Sequence, residues 1–184
     1  MKKLSRRARI ATGGAVIAAV AAGTFGTVSA NASSATSAGA APVANVKGGD
    51  TVTSSHLSID AAAEAAQAAL DAAEKENQKV TVAVVDRNGN TVVTLRGDGA
   101  GPQSYESAQR KAYTAVSWNA PTSELAKRLA QAPNLKDIPG TLFLAGGTPV
   151  AVKGAPVAGI GVAGAPSGDL DEKFAAAGVA ALGH

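Results

Sequence analysis

Residues 141–172, TLFLAGGTPVAVKGAPVAGIGVAGAPSGDLDE, constrain the fold more than any other stretch. Turn residues divide it into three short apolar runs, 141–145, 149–152 and 157–164. The connections Gly146-Gly147 and Lys153-Gly154-Ala155 have the composition of hairpin turns, so an antiparallel meander is expected. Alternation along the third run sets Val157, Gly159, Gly161 and Ala163 on one face and Ala158, Ile160, Val162 and Gly164 on the other. The first face is nearly bare. Glycine weakens a strand unless a neighbour must come close to its backbone, so that face predicts a tightly packed helix or a flat ligand. Pro166-Ser167-Gly168 ends the run, and Asp169 with Glu172 three positions on reads as a capping-box-like start for a last helix.

Gly159, Gly161 and Gly164 also match the spacing of a dinucleotide-binding fingerprint. They lie inside a strand, however, not in a strand-to-helix turn. The helix that follows opens with Asp169, Asp171 and Glu172, which complement a helix dipole and repel phosphate. The glycines therefore read as packing clearance.

The formal charge of +3 is misleading. Residues 1–32 hold Lys2, Lys3, Arg6, Arg7 and Arg9 and no acid, leaving 12 basic against 14 acidic residues in the rest of the chain. Those basic residues are scattered among few aromatics, which excludes a nucleic-acid surface. The basic start precedes a mildly apolar run, 11–28, and the small-x-small sequence Ala30-Asn31-Ala32, so residues 1–32 read as an export signal. Ser5-Arg6-Arg7 makes it a twin-arginine type, with an ordinary secretory signal as the alternative. A secreted, extracellular protein with no membrane span after processing is expected. The Ala/Ser/Gly/Thr-rich residues 33–54 then form a flexible linker and 55–184 the folded domain. The chain has no cysteine, which excludes thiolate metal sites and thiol catalysis.

Within the domain, Ser58 caps a first helix whose inner face is Ile59, Ala62, Ala63, Ala66, Leu70 and Ala73. Asp71 and Glu74 fall one turn apart on its wet face, either as a pair able to chelate a hard cation or as ordinary solvated acids. Runs 80–86 and 91–96, joined by Arg87-Asn88-Gly89-Asn90, form a hairpin. Residues 103–118 form a second helix with Tyr105, Ala108, Ala112, Ala115 and Val116 on one face and Lys111, Thr114 and Trp118 on an adjacent stripe. Pro121 stops it, and Thr122 caps a short helix over 123–131. The expected fold is α+β, a five-stranded, mostly antiparallel sheet with helices on both faces.

With His56 just before the first helix and His184 as the last residue, a Ser-His-acid triad would have to use a linker edge or a chain end, which disfavours a hydrolase. The residues around the second helix could hold a flat anion: Arg110 and Lys111 for carboxylates, Tyr105, Tyr113 and Trp118 for stacking, Thr114 as a weak oxygen ligand. The alternative places the aromatics in the core, the basic pair in solvent and the Thr114 hydroxyl on the Arg110 carbonyl.

The segments VAVVDRNGN, SAQRKAYTA, PTSEL, FLAGGTPV and GAPVAGIGVAGAPSGDLDEKFAAAG resemble the GlcG family of haem-degrading, DUF336-like proteins, and within it a secreted haem-binding branch. The similarity runs over residues 57–182. It implies a profilin-like or PAS-like sheet and a homo-oligomer, an octamer in that branch. It also implies haem bound at the surface or between subunits, ferric iron binding, haem degradation, and service as an accessory redox and haem sensor to a membrane histidine kinase. By the same resemblance Thr114 is the haem-iron ligand and Lys111 and Arg110 are propionate partners, with Tyr113 and Trp118 kept from the residue reading as the rings that would stack on the haem. Asp71 and Glu74, with His56, make the acidic iron site. Two other classes stay open: an enzyme that degrades haem or a small metabolite, and a ligand-free structural oligomer.

Overall fold

The computed structural model describes residues 43–183, so the export signal and the first part of the linker lie outside the described residues. Residues 47–58 are exposed coil apart from one 3-10 turn, Gly48–Asp50, and the half-buried Leu57. The elements that follow are α1 (Ile59–Lys75), β1 (Thr81–Asp86), β2 (Thr91–Arg96), α2 (Pro102–Trp118), α3 (Thr122–Arg128), β3 (Gly147–Val152), β4 (Ala155–Ala163) and α4 (Gly168–Ala180).

The sheet has four strands in the order β2-β1-β4-β3, every neighbour antiparallel. The expected fifth strand, 141–145, does not form, because side chains of α2 take its backbone groups. The Arg110 guanidinium donates to the Thr141 carbonyl at 2.7 Å, and the Leu142 N–H donates to the Thr114 hydroxyl at 2.8 Å. The Gly146-Gly147 pair is accordingly no hairpin turn: Gly146, at φ 129°, swings the chain into β3, which starts at Gly147. β1 and β4 lie at the centre, and Pro149, which has no N–H for a ladder, sits on an edge strand.

Helices cover both faces. Register pairs Val84 with Ile160 and Val82 with Val162, and these residues build the main core with Ala62, Ala66, Leu70 and Ala73 of α1 and Phe174 of α4. The buried side of α1 also takes Ala65 and Ala69, while Ile59 is 59% exposed. In so alanine-rich a helix, small residues on every side leave periodicity a poor guide to the buried face.

On the other face Ala83 pairs with Gly161 and Val85 with Gly159, and Gly161 pairs again with Gly147. A Cβ on Gly159 would fall on the Ala112 carbonyl oxygen and one on Gly161 on the Ala108 carbonyl oxygen; one on Gly147 would come 2.5 Å from the Lys111 carbonyl oxygen. The bare face therefore seats a helix, α2, directly against the strand backbones.

The helix ends differ in detail from expectation. Ser58 caps α1 through Ala61 N–H. Ser167, not Asp169, caps α4, accepting from Leu170 N–H at 3.2 Å. Thr122 begins α3, and its hydroxyl accepts from Gly147 N–H at 2.8 Å, so it ties the helix to β3.

Candidate functional site

The backbone contact between α2 and the glycine column decides which way each residue of α2 faces. Lys111 points inward: its Nζ lies 2.7 Å from Asp171 Oδ2 and donates to the Val162 carbonyl at 3.1 Å, both side chains being about 5% exposed. Asp171 Oδ1 accepts from Ala165 N–H at 3.0 Å. Burial pushes the Asp171 carboxyl above its ordinary value, against the opposing pull of Lys111 and the backbone N–H donors. The expected propionate partner Lys111 is thus a buried structural cation, spent on Asp171.

Thr114 is fully buried as well. Its hydroxyl donates to the Arg110 carbonyl at 2.7 Å while accepting from Leu142 N–H, so the core reading describes its place and it presents no oxygen to the surface. Trp118 packs edge-on against Phe143, ring centroids 5.2 Å apart, over Leu125 and Ala120. It belongs to the corner between α2 and α3. Tyr105 is exposed.

Arg110 and Tyr113 remain together at the surface. They line an open groove of about 160 Å³ with Val85, Gly89, Thr91, Gln109 and Gly140. The Arg110 guanidinium is placed by the Thr141 carbonyl, with the Glu106 carboxylate 3.7 Å from Nη1. The Tyr113 ring is gripped at opposite edges. A Cβ added to Gly89 would come 2.8 Å from Cε2, and one added to Gly140 would come 3.6 Å from Cε1. Both glycines have positive φ, 88° and 78°, so each serves a turn as well as a close approach. The phenol oxygen reaches solvent and has no hydrogen-bond partner among the described residues.

Asp71 and Glu74 are exposed on α1. Asp71 Oδ1 accepts from Gln67 Nε2 at 2.7 Å, and Glu74 lines a cleft of about 260 Å³ with Asn77, Gln78, Lys79, Gly97 and Asp98. His56 does not join them. It precedes the first turn of α1, about 18 Å along the axis from Asp71 at ~1.5 Å per residue. Its Nε2 lies 2.8 Å from Ser54 Oγ, and its charge acts on Asp86. Among the described residues no three His, Asp or Glu side chains converge on one metal position.

Two carboxylates carry structure that motif reading passed over. Asp86 accepts from the N–H groups of Asn88 and Asn90, both at 2.8 Å, which folds the β1–β2 turn; the Asp-x-Asn-x-Asn spacing is the signal that marks it. Glu172 accepts from Ser123 N–H at 2.9 Å, Ser123 Oγ at 2.5 Å and Gly146 N–H at 3.2 Å, joining α4 to α3 and β3. The spacing assigns Glu172 to a capping box with Asp169; its carboxylate is used instead by partners 26 and 49 residues away, which no local pattern marks.

An antiparallel sheet between helices, with an aromatic and cationic groove beside its packed helix, is the arrangement of a small ligand-binding α+β domain. The family described as haem degrading protein HbpS-like matches residues 57–180, and the chain belongs to that family. Crystal structures of HbpS are similar to it: a double mutant of Streptomyces reticuli HbpS is 77% identical, covering 79% of this chain and 99% of its own, with a TM-score of 0.77. A second HbpS structure is 76% identical over 77% of this chain and all of its own, at 0.76. A PduOC:heme complex is 27% identical, covering 69% of this chain and 95% of its own, at 0.64. No curated protein matches the chain.

Proposed function

We propose that this protein binds haem in the open groove beside α2 and acts outside the cell as an accessory haem and iron sensor for a membrane histidine kinase. The groove itself carries the reading: a positioned guanidinium and an aromatic ring seated between Gly89 and Gly140 share one wall of the surface. Its chemistry fits haem, which needs a cation for its propionates, an apolar rim and an oxygen or nitrogen near the iron. Family membership and the haem complex of a 27% identical relative support the ligand.

At about 160 Å³ the groove is smaller than the roughly 300–1,000 Å³ of pockets that enclose a ligand, so haem here is partly covered at most by one chain. A second copy closing over it accounts for the oligomer that the family resemblance implies. Bound haem supplies a redox-active iron; the protein's residues supply its seat, with Arg110 holding a propionate and Tyr113 fixing the approach to the ring. Asp71 and Glu74 supply the ferric iron site. In support, the Streptomyces reticuli relative was crystallised with two glutamates, three positions apart, changed to aspartate, and Asp71 and Glu74 have the same spacing.

Titration with haemin tests the reading: a saturable Soret shift at one haem or fewer per chain is expected, and an unchanged Soret band refutes it. The family description also favours a second reading, haem turnover. Catalytic loss of haem in excess over protein, when a reductant or peroxide is supplied, distinguishes an enzyme from stoichiometric bleaching.

A further inference from the structure

We infer that Tyr113, and not its neighbour Thr114, supplies the oxygen that ligates the iron of bound haem; this rests on the haem-binding reading above. The two residues are adjacent in sequence and about 100° apart around α2, so they face different surroundings. Thr114 faces inward with its hydroxyl committed both ways, as donor to the Arg110 carbonyl and acceptor from Leu142 N–H, and freeing it would leave that N–H unpaired inside the fold. Tyr113 faces the groove, its oxygen is engaged by no group among the described residues, and its ring is held between two glycines. The grip of Gly89 and Gly140 on opposite ring edges removes the rotamer freedom that an exposed tyrosine would otherwise lose on binding.

Charge and hardness agree with this assignment. Arg110 stands one turn before Tyr113 in the same groove, its guanidinium positioned by the Thr141 carbonyl, so a fixed cation lies where a phenolate and a propionate would bring negative charge. A phenolate is a hard anionic oxygen and a known class of haem ligand, and it favours ferric over ferrous iron. Binding would exchange the axial water or hydroxide of ferric haem for the phenolate oxygen: one iron–oxygen bond would break as the other forms, the phenol proton would pass to the departing hydroxide or to solvent, and no electron would move. Ferric haem is then held and ferrous haem is held more weakly, which couples occupancy of the groove to redox state.

The test uses the full chain loaded with haemin, in the wild type and in Tyr113→Phe, which keeps the ring between its two glycines and removes only the oxygen. The wild type is expected to show tyrosinate modes in the resonance Raman spectrum and a phenolate-to-iron charge-transfer band. Tyr113→Phe should lose both and bind haemin about tenfold more weakly with an unchanged melting temperature. Thr114→Val serves as the second variant and should keep the wild-type haem spectrum. A wild-type complex without tyrosinate modes, a Tyr113→Phe protein with wild-type spectrum and affinity, or a folded Thr114→Val protein that loses the wild-type haem spectrum overturns the assignment while leaving haem binding standing. A wild-type protein with no Soret shift overturns the haem reading and this assignment together.

Discussion

Lys111 and Asp171 hold each other inside the fold, and the cost of separating them exceeds what the pair contributes. Taking two charges from water roughly offsets their attraction, but removing one partner strands the other. Lys111→Met should therefore lower stability by about 3–5 kcal/mol, read from the denaturant midpoint, while Lys111→Met with Asp171→Leu should recover most of the loss. The sign of the pH dependence follows from burial, which raises the Asp171 carboxyl. A raised value in the fold means stability retained below the unfolded value near 3.9 and lost as pH rises through the folded one. The deficit of Lys111→Met should accordingly be smaller in mild acid than at neutral pH. Asp86 runs the other way. Burial pulls its carboxyl up, but the donors on Asn90 and Asn88 and the charge of His56 outweigh it, and the net shift is downward. Its contribution is present above about pH 3.9 and is lost as pH falls through the lowered value. Asp86→Asn should reduce the melting temperature at neutral pH and flatten the acid limb of a melting-temperature profile. At this scale the sequence showed which residues share a stripe of α2, but Lys111 and Thr114 could not be turned inward or outward without knowing where the glycines of the neighbouring strand would stand.

The seating of α2 on β4 is the contact that places the groove. Its prediction is direct: Gly161→Ala puts a methyl group onto the Ala108 carbonyl, and Gly159→Ala onto the Ala112 carbonyl, so each should destabilise by about 1–3 kcal/mol in chemical denaturation. Gly48→Ala, in open space at ordinary φ, should change little. Alternation in β4 was readable because one face is glycine and the other Ile160 and Val162: Gly159 and Gly161 meet α2 and Ile160 and Val162 meet the core as expected. Val157, expected with the glycines, instead joins the main core, and Gly164 lies past the strand end. The run 141–145 was not readable as a loop. Its composition suits a strand, and what denies it a ladder is a pair of side chains, Arg110 and Thr114, about thirty residues upstream.

For the whole molecule, the groove by Tyr113 and the acids of α1 share no residue, so the proposed haem and iron sites can be tested independently. Asp71→Ala with Glu74→Ala should weaken ferric iron binding in a titration without lowering the melting temperature, since exposed acids contribute little to stability. Haemin affinity should be unchanged in the same protein. Family and fold class were legible from the glycine-rich block because its residues are dictated by backbone contact. The site was only half legible: Arg110 and Tyr113 meet in the groove, whereas Lys111 and Thr114 are interior, Trp118 is half-buried against Phe143, and His56 stands at the wrong end of α1.

β4 pairs with both β1 and β3 and lies under α2, yet it is the last strand in the chain. Its partner β1 is made more than seventy residues earlier, so a nascent chain holds α1, the first hairpin and α2 without the glycine-faced strand on which α2 seats. Closure waits on a long-range pairing, the kind of contact that slows folding and leaves apolar strand edges exposed meanwhile. Any shortened product that stops before β4 thus carries an open β1 edge and the unburied inner face of α2, and its fate is self-association or proteolysis.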